Sequence, residues 1–286
     1  MFRIIRVFLE KIRRHFHLRS QKQNNMNLKR PSRNEMAAAN SKTQMRLYVS
    51  GERALDLAQR AQAYSQARDY KKAKACASEA IQINPSLVDA FAVRALACRV
   101  LGELDMAIAD YTKVIEIDPN NSQAWMFRGA CKTQKASNLE GLEKTTLINE
   151  AHPDYQRAAE LRPDDELAGL ALLELEICIG KYREAVGTAG VWWNRVRTPA
   201  NKVICAWLGV IAMILAVHPE RKWAHLKAFL EQDRTRLGPT DWCVTEIEGC
   251  LKSVQGNPSQ AALLDTIRPI HASFIKRFSG GGPALK

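Results

Sequence analysis

PSLVDAFAVRALACRVLGELDMAIADYTKVIEIDP, residues 85–119, decides the fold. The stretch opens on Pro85 and closes on Pro119, 34 residues apart. Around these prolines the same residue types return at the same offsets. Ala73, Ala80 and Pro85 come back as Ala107, Val114 and Pro119, and Arg60-Ala61 comes back as Arg94-Ala95 and then Arg128-Gly129. A period of this length marks a helix-turn-helix unit that buries its apolar face by stacking on its neighbours. Proline ends each second helix because it cannot extend the hydrogen-bond ladder.

These offsets resemble the tetratricopeptide repeat. That family's pattern has a bulky residue at position 4, small residues at 8, 20 and 27, aromatics at 11 and 24, and proline at 32. Counting back from Pro85, the first repeat covers 54–87 and shows Leu57, Ala61, Tyr64, Ala73, Ala80 and Pro85, with Ala77 where an aromatic is expected. The second covers 88–121 with Phe91, Ala95, Ala107, Tyr111, Val114 and Pro119, and Cys98 at position 11. A third opens on Trp125 and Gly129 and closes on Ala151, Tyr155, Ala158 and Pro163. From Lys132 to Ala151 is 19 residues where the pattern needs about nine. About ten residues are therefore inserted within 133–149, as an edge loop or as a longer helix, since GLEKTTLINE is rich in helix formers. A fourth, looser unit covers 166–197. It has an apolar helix around Leu167–Ile177 and the turn Gly180-Lys181-Tyr182-Arg183-Glu184-Ala185, but no closing proline.

The resemblance implies an all-α, right-handed superhelical solenoid of helical hairpins over 47–197, followed by a helical C-terminal extension over 198–278 and a flexible tail, 279–286. Within the extension, 203–217 is a run of 15 apolar residues. It reads as a buried helix or a short membrane span, being shorter than the about 18 residues a span usually takes. Further helices are expected at 219–233, 240–254 and 258–277, the last after the Gly256-Asn257-Pro258 turn.

Charge separates the N-terminus from the rest. Residues 1–53 hold 13 Lys/Arg and three Asp/Glu, which leaves 29 and 27 of the chain's 42 and 30 for the remainder. The folded body is thus close to neutral, which speaks against a nucleic-acid surface. Residues 1–19 form a basic amphipathic helix, with Phe2, Ile5, Phe8, Leu9, Ile12 and Phe16 on one face and Arg3, Arg6, Arg13 and Arg14 opposite. It suits an anionic membrane surface, an acidic partner, mitochondrial targeting or packing on the solenoid end. Met26 and Met36 offer alternative starts, and the polar stretch to about residue 46 reads as a disordered linker.

No catalytic or metal motif stands out. The histidines 15, 17, 152, 218, 225 and 271 form no recognised ligand spacing. His218 and His225 lie seven apart and lack a third ligand. There is no phosphate-binding glycine loop and no nucleophile elbow. The seven cysteines form no CxxC pair, so a reducing, cytoplasmic setting is expected, with peripheral membrane or mitochondria as alternatives. These features point to a non-enzymatic scaffold or interaction module with no cofactor, or to a membrane-tethered assembly factor.

By resemblance, positions 2, 5, 9 and 12 of each first helix face a groove that takes a peptide or partner protein. Those are Leu55, Ala58, Gln62 and Ser65; Asp89, Ala92, Leu96 and Arg99; and Gln123, Met126, Ala130 and Thr133. Gln62, Asp89, Leu96, Arg99, Gln123, Met126 and Thr133 are the binding candidates. One family subset grips the terminal carboxylate of chaperones. The matching positions here hold Ala58, Gln62, Val93, Gln123 and Phe127, so no such grip is expected. Arg60, Arg94 and Arg128 recur at position 7, beside the packing seam, with Asp110 and Asp154 at position 23 as candidate partners.

Overall fold

The computed structural model describes residues 42–217, 222–232 and 251. The basic helix at 1–19, His218, His271, Cys243, Cys250 and the helices expected at 240–254 and 258–277 lie outside the described residues, apart from the buried Leu251. The described residues are helical, with no strand among them. They fall into two compact units that divide between Lys135 and Ala136.

The first unit holds α1 (Lys42–Gln66), α2 (Tyr70–Ile83), α3 (Val88–Leu101), α4 (Leu104–Ile117) and α5 (Ser122–Ala136) up to its last residue. The repeat pattern is visible in its packing. Helices α2 and α4 each stop two residues before their proline, at Ile83 and Ile117. Ala61, Ala73, Ala80, Ala95 and Ala107 are sealed from solvent. Their short side chains let α1, α2 and α3 approach closely, and α3 packs on α4. Ala77, at the position where an aromatic is expected, joins a small-residue cluster with Ala61, Ala73, Val93 and Ala97, while Tyr64 and Tyr70 pack against its edge. A neighbouring cluster sets Leu57 and Ala58 of α1 on Ala80 and Ala90. Helix α1 begins at Lys42, inside the stretch whose polarity reads as linker. A helix once nucleated extends at small cost per residue, so polar composition alone does not stop it.

The turns inside three of the hairpins share one requirement. Position 15 is left-handed at Arg68 (φ 64°), Gly102 (φ 83°) and Gly180 (φ 78°). Glycine meets this at no steric cost, whereas arginine pays for its Cβ.

The second unit holds α6 (Gly141–Leu161), α7 (Glu166–Cys178), α8 (Tyr182–Arg195), α9 (Pro199–Leu215) and α10 (Ala224–Gln232). The insertion has mostly become helix. Helix α6 has 21 residues against 14 in α2 and α4, and it still ends two residues before its proline. Seven of the added residues therefore extend its front, and the turn before it is longer, 137–140 against 102–103. Pro153 lies inside α6, so the carbonyl of Asn149 loses its usual helical donor.

Apolar helix α9 is the core of this unit. Val203–Ala212, Ile214 and Leu215 are buried, and α7, α8 and α10 pack around the helix. It has 17 residues, and no helix among the described residues is long and apolar enough to cross a bilayer. Thr198 caps α9 without using its side chain. Glu166, at the start of α7, supplies the cap instead. Its Oε1 accepts the backbone N–H groups of Arg197 (2.7 Å) and Thr198 (3.1 Å), and Oε2 accepts Nδ2 of Asn201 (2.6 Å). Burial pushes this carboxyl up, but these bonds together hold it below the usual carboxylate range.

The α7–α8 hairpin departs most from the pattern. At position 4, where the earlier repeats carry Leu57, Phe91 and Trp125, it has Gly169. At position 27, where they carry Ala80, Val114 and Ala158, it has the buried Trp192. The indole fills the space that a position-4 side chain would need. A Cβ built on Gly169 would stand 1.8 Å from Cε2 of Trp192. The bulk has changed sides of the seam and the seam is still filled.

Candidate functional site

In the first unit, α3 and α5 expose their groove-facing sides above α4. Ala92 and Leu96 from α3, Tyr111 and Val114 from α4, and Gln123, Ala124 and Phe127 from α5, with Asn121 before it, line a shallow, open hollow. The walls are mostly apolar, with the amides of Asn121 and Gln123 at the rim. Such a lining suits a short apolar side chain flanked by a hydrogen-bonded backbone.

Of the residues expected to bind, the structure brings Leu96 and Gln123 together in this hollow. Gln62 and Thr133 are half-buried elsewhere on the first helices, and Asp89 is exposed on the first turn of α3. Met126 is buried, as is Arg99. At the positions of a carboxylate grip, Ala58, Val93 and Phe127 are buried apolar side chains. Sequence reasoning missed the floor of the hollow, Tyr111 and Val114, because it assigned the groove to first helices alone. The signal was present: these two residues lie three apart on α4, one helical turn, facing the same way.

The three position-7 arginines differ. Arg94 makes a two-pronged ion pair with the buried Asp110, Nε donating to Oδ2 (2.8 Å) and Nη2 to Oδ1 (2.7 Å). This pair joins α3 to α4 and is structural. The first repeat has Cys76 at position 23, so Arg60 pairs instead with Asp56 on its own exposed helix face (2.9 Å). Arg128 stacks on Trp125, 4.8 Å from the ring centre, and donates to the Thr112 hydroxyl (3.3 Å).

Arg99 has a different environment. It is 2% exposed, and its Nε and Nη2 have no hydrogen-bond partner. Its guanidinium lies 5.0 Å from the ring centre of Phe127, which is itself 5.6 Å from Tyr111. The Tyr111 hydroxyl also lacks a partner. Burial pushes the Tyr111 phenol up and the Cys98 and Cys131 thiols up to about 12, so these neighbours are neutral and the thiols are poor nucleophiles.

The second unit carries a partly buried polar cluster. Nε2 of His152 lies 3.4 Å from Oε1 of Glu176, and Nδ1 lies 3.4 Å from Nζ of Lys181. Burial raises the Glu176 carboxyl, an effect that Thr188 and His152 partly offset. No group of three or more His, Cys, Asp or Glu suited to a metal occurs among the described residues.

Comparison with known proteins follows the same division. Residues 57–87 and 88–121 each match a family model described as the tetratricopeptide repeat. Among solved structures the chain is similar to pilF of Pseudomonas aeruginosa, with a TM-score of 0.51 and 16% identity over 80% of this chain and 96% of that one. It is also similar to a tetratricopeptide repeat protein of Parabacteroides merdae, with a TM-score of 0.48 and 18% identity over 80% and 79%. A third similarity is to the OM64 TPR domain of Arabidopsis, with a TM-score of 0.39 and 25% identity over 44% and 97%. The likeness to pilF is one of fold. No curated protein matches the sequence.

Proposed function

Because the chain is a tetratricopeptide-repeat protein, we propose that it is a non-enzymatic interaction module that binds an extended segment of a partner protein between α3 and α5. The observation that supports this reading is the shallow hollow lined by both first helices and by α4. Its apolar walls accept one side chain, and the Gln123 and Asn121 amides at its rim accept or donate to a backbone. A stacked-helix scaffold holds these groups without reorganisation on binding, which limits the entropic cost of association. A chaperone-tail grip is not part of this proposal, since its positions carry Ala58, Val93 and Phe127.

The test is retention of a pool of short randomised peptides, blocked at both ends, on the immobilised full chain. Ala92→Phe fills the hollow from a half-buried position and should abolish retention while leaving the helical circular dichroism unchanged. Equal retention by the wild type and Ala92→Phe would place binding elsewhere and end this reading.

A further inference from the structure

Arg99 is a cation with its counter-ion missing. Taking a guanidinium out of water is costly unless a carboxylate and hydrogen bonds replace the solvent. The same unit shows what a satisfied arginine looks like. Arg94, five residues earlier, gives its Nε–Nη2 edge to Asp110 in two parallel bonds of 2.8 and 2.7 Å. Arg99 has the same edge buried and unoccupied. One face of its guanidinium packs on Phe127, and the titratable groups near it, Tyr111 and Cys131, are neutral acids that bring no compensating charge. Helix α3 itself offers no acid near it: three and four residues before Arg99 stand Leu96 and Ala95, and Gly102 follows at three. Glu103, at four, forms its ion pair with Lys74.

Phe127 and Tyr111 line the hollow while Arg99 does not, so a carboxylate reaches its sealed edge only by moving the Phe127 or Tyr111 ring. We infer that the segment bound between α3 and α5 carries an Asp or Glu side chain whose carboxylate docks on the Nε–Nη2 edge of Arg99, beside the hollow that takes its apolar neighbour. This rests on the peptide-binding reading above and adds the chemistry of the partner. The side-on, two-pronged geometry matches carboxylate and not a neutral amide, and a buried site strengthens the discrimination. Arg99 thus sets specificity, while the apolar walls supply contact area.

The experiment uses the full chain and two pools of short peptides, blocked at both ends so that only a side chain can supply a carboxylate. One pool fixes Glu at its centre and the other Gln, with the remaining positions randomised without Asp or Glu. The wild type should retain the Glu pool at least about tenfold better, the ratio expected of a charge-assisted pair. Arg99→Met should abolish the preference, and Arg99→Lys should keep part of it. In the absence of peptide, Arg99→Met should leave Tm unchanged or raised, because it removes a buried charge that has no partner. Equal retention of the two pools by the wild type overturns this inference and leaves the peptide-binding reading standing. Retention of neither pool overturns both. A Tm loss in Arg99→Met as large as that in Arg94→Met, or a preference that survives Arg99→Met, overturns the inference by showing that Arg99 serves the fold or that the acid binds elsewhere.

Discussion

The α3–α4 hairpin and the α7–α8 hairpin fill the same seam with the bulk on opposite sides. In α3–α4, Phe91 stands at position 4 against the small Val114 at position 27. In α7–α8, Gly169 stands at position 4 against Trp192 at position 27, a side chain that leaves no room for even a methyl group. The polar link between the two helices has moved as well. Arg94 at position 7 holds Asp110 at position 23 in the first hairpin. In the second, position 7 is Leu172 and the buried acid is Glu176 at position 11, beside Thr188 at position 23. What the two hairpins share is therefore a filled seam; the polar crossing is satisfied at Arg94–Asp110, while Oε2 of Glu176 is buried without a partner. The particular residues at 4, 7, 11 and 27 are one solution, which explains why family models match 57–121 and not this hairpin.

The largest expected effect breaks the exchanged seam. Gly169→Ala places a Cβ inside the Trp192 ring and should cost about 3 kcal/mol in chemical denaturation. Gly169→Leu combined with Trp192→Ala restores the ordinary arrangement of bulk and should be more stable than Gly169→Leu alone. If the double variant is no better, the two positions do not share one space. Next comes the polar crossing. Asp110→Ala strands the Arg94 guanidinium, which is largely buried, and should cost about 2 kcal/mol. A loss no larger than that of the exposed Asp56→Ala would show that the Arg94 pair does not hold α3 to α4.

Helix α7 contains a second contrast, between its two ends. Glu166 is held below the ordinary carboxylate range by its capping bonds, while burial raises Glu176. The signs are opposite. A lowered folded value contributes stability that is complete above the unfolded value of about 4.5 and is lost as pH falls through the lower folded value. A raised one favours the protonated fold, so stability is lost as pH rises from about 4.5 through the higher folded value. Glu166→Ala should cost about 1.5 kcal/mol at neutral pH, and less below about pH 4. Glu176→Gln should flatten the pH dependence above 4.5 instead. Parallel curves for the two variants, measured by denaturant titration across pH 3 to 8, would contradict the assignment of one end as a cap and the other as a desolvated acid.

The parts that were legible in the sequence are those fixed by spacing. Positions 20, 27 and 32 marked where the second helices pack and stop, because close helix approach and a proline stop leave few alternatives. The insertion was legible in length and not in form: GLEKTTLINE favours helix, but only the structure shows seven residues added to the front of α6. The seam exchange was not legible, since Gly169 and Trp192 each look like a lapse until the two are seen to touch. Of the binding candidates named from register, Leu96 and Gln123 line the hollow and Arg99 is buried outside its lining. That Arg99 is buried without a hydrogen bond on its Nε–Nη2 edge did not follow, because pairing depends on which side chains α4 and α5 bring to it.

The smallest effect tests the turn that both hairpins share. Gly102 and Gly180 occupy the left-handed region at position 15, and nothing lies within 4 Å of a Cβ built on either. Any cost of substitution there comes from the backbone alone. Gly102→Ala should therefore cost about 1 kcal/mol, and Gly180→Ala the same, whatever the difference in their seams. The first repeat already bears this cost at Arg68, so Arg68→Gly should recover part of it, less whatever the arginine side chain contributes through its own contacts. If Gly102→Ala and Gly180→Ala differ by more than about 1 kcal/mol, the turn is coupled to the seam behind it, and the two hairpins differ in more than where they put their bulk.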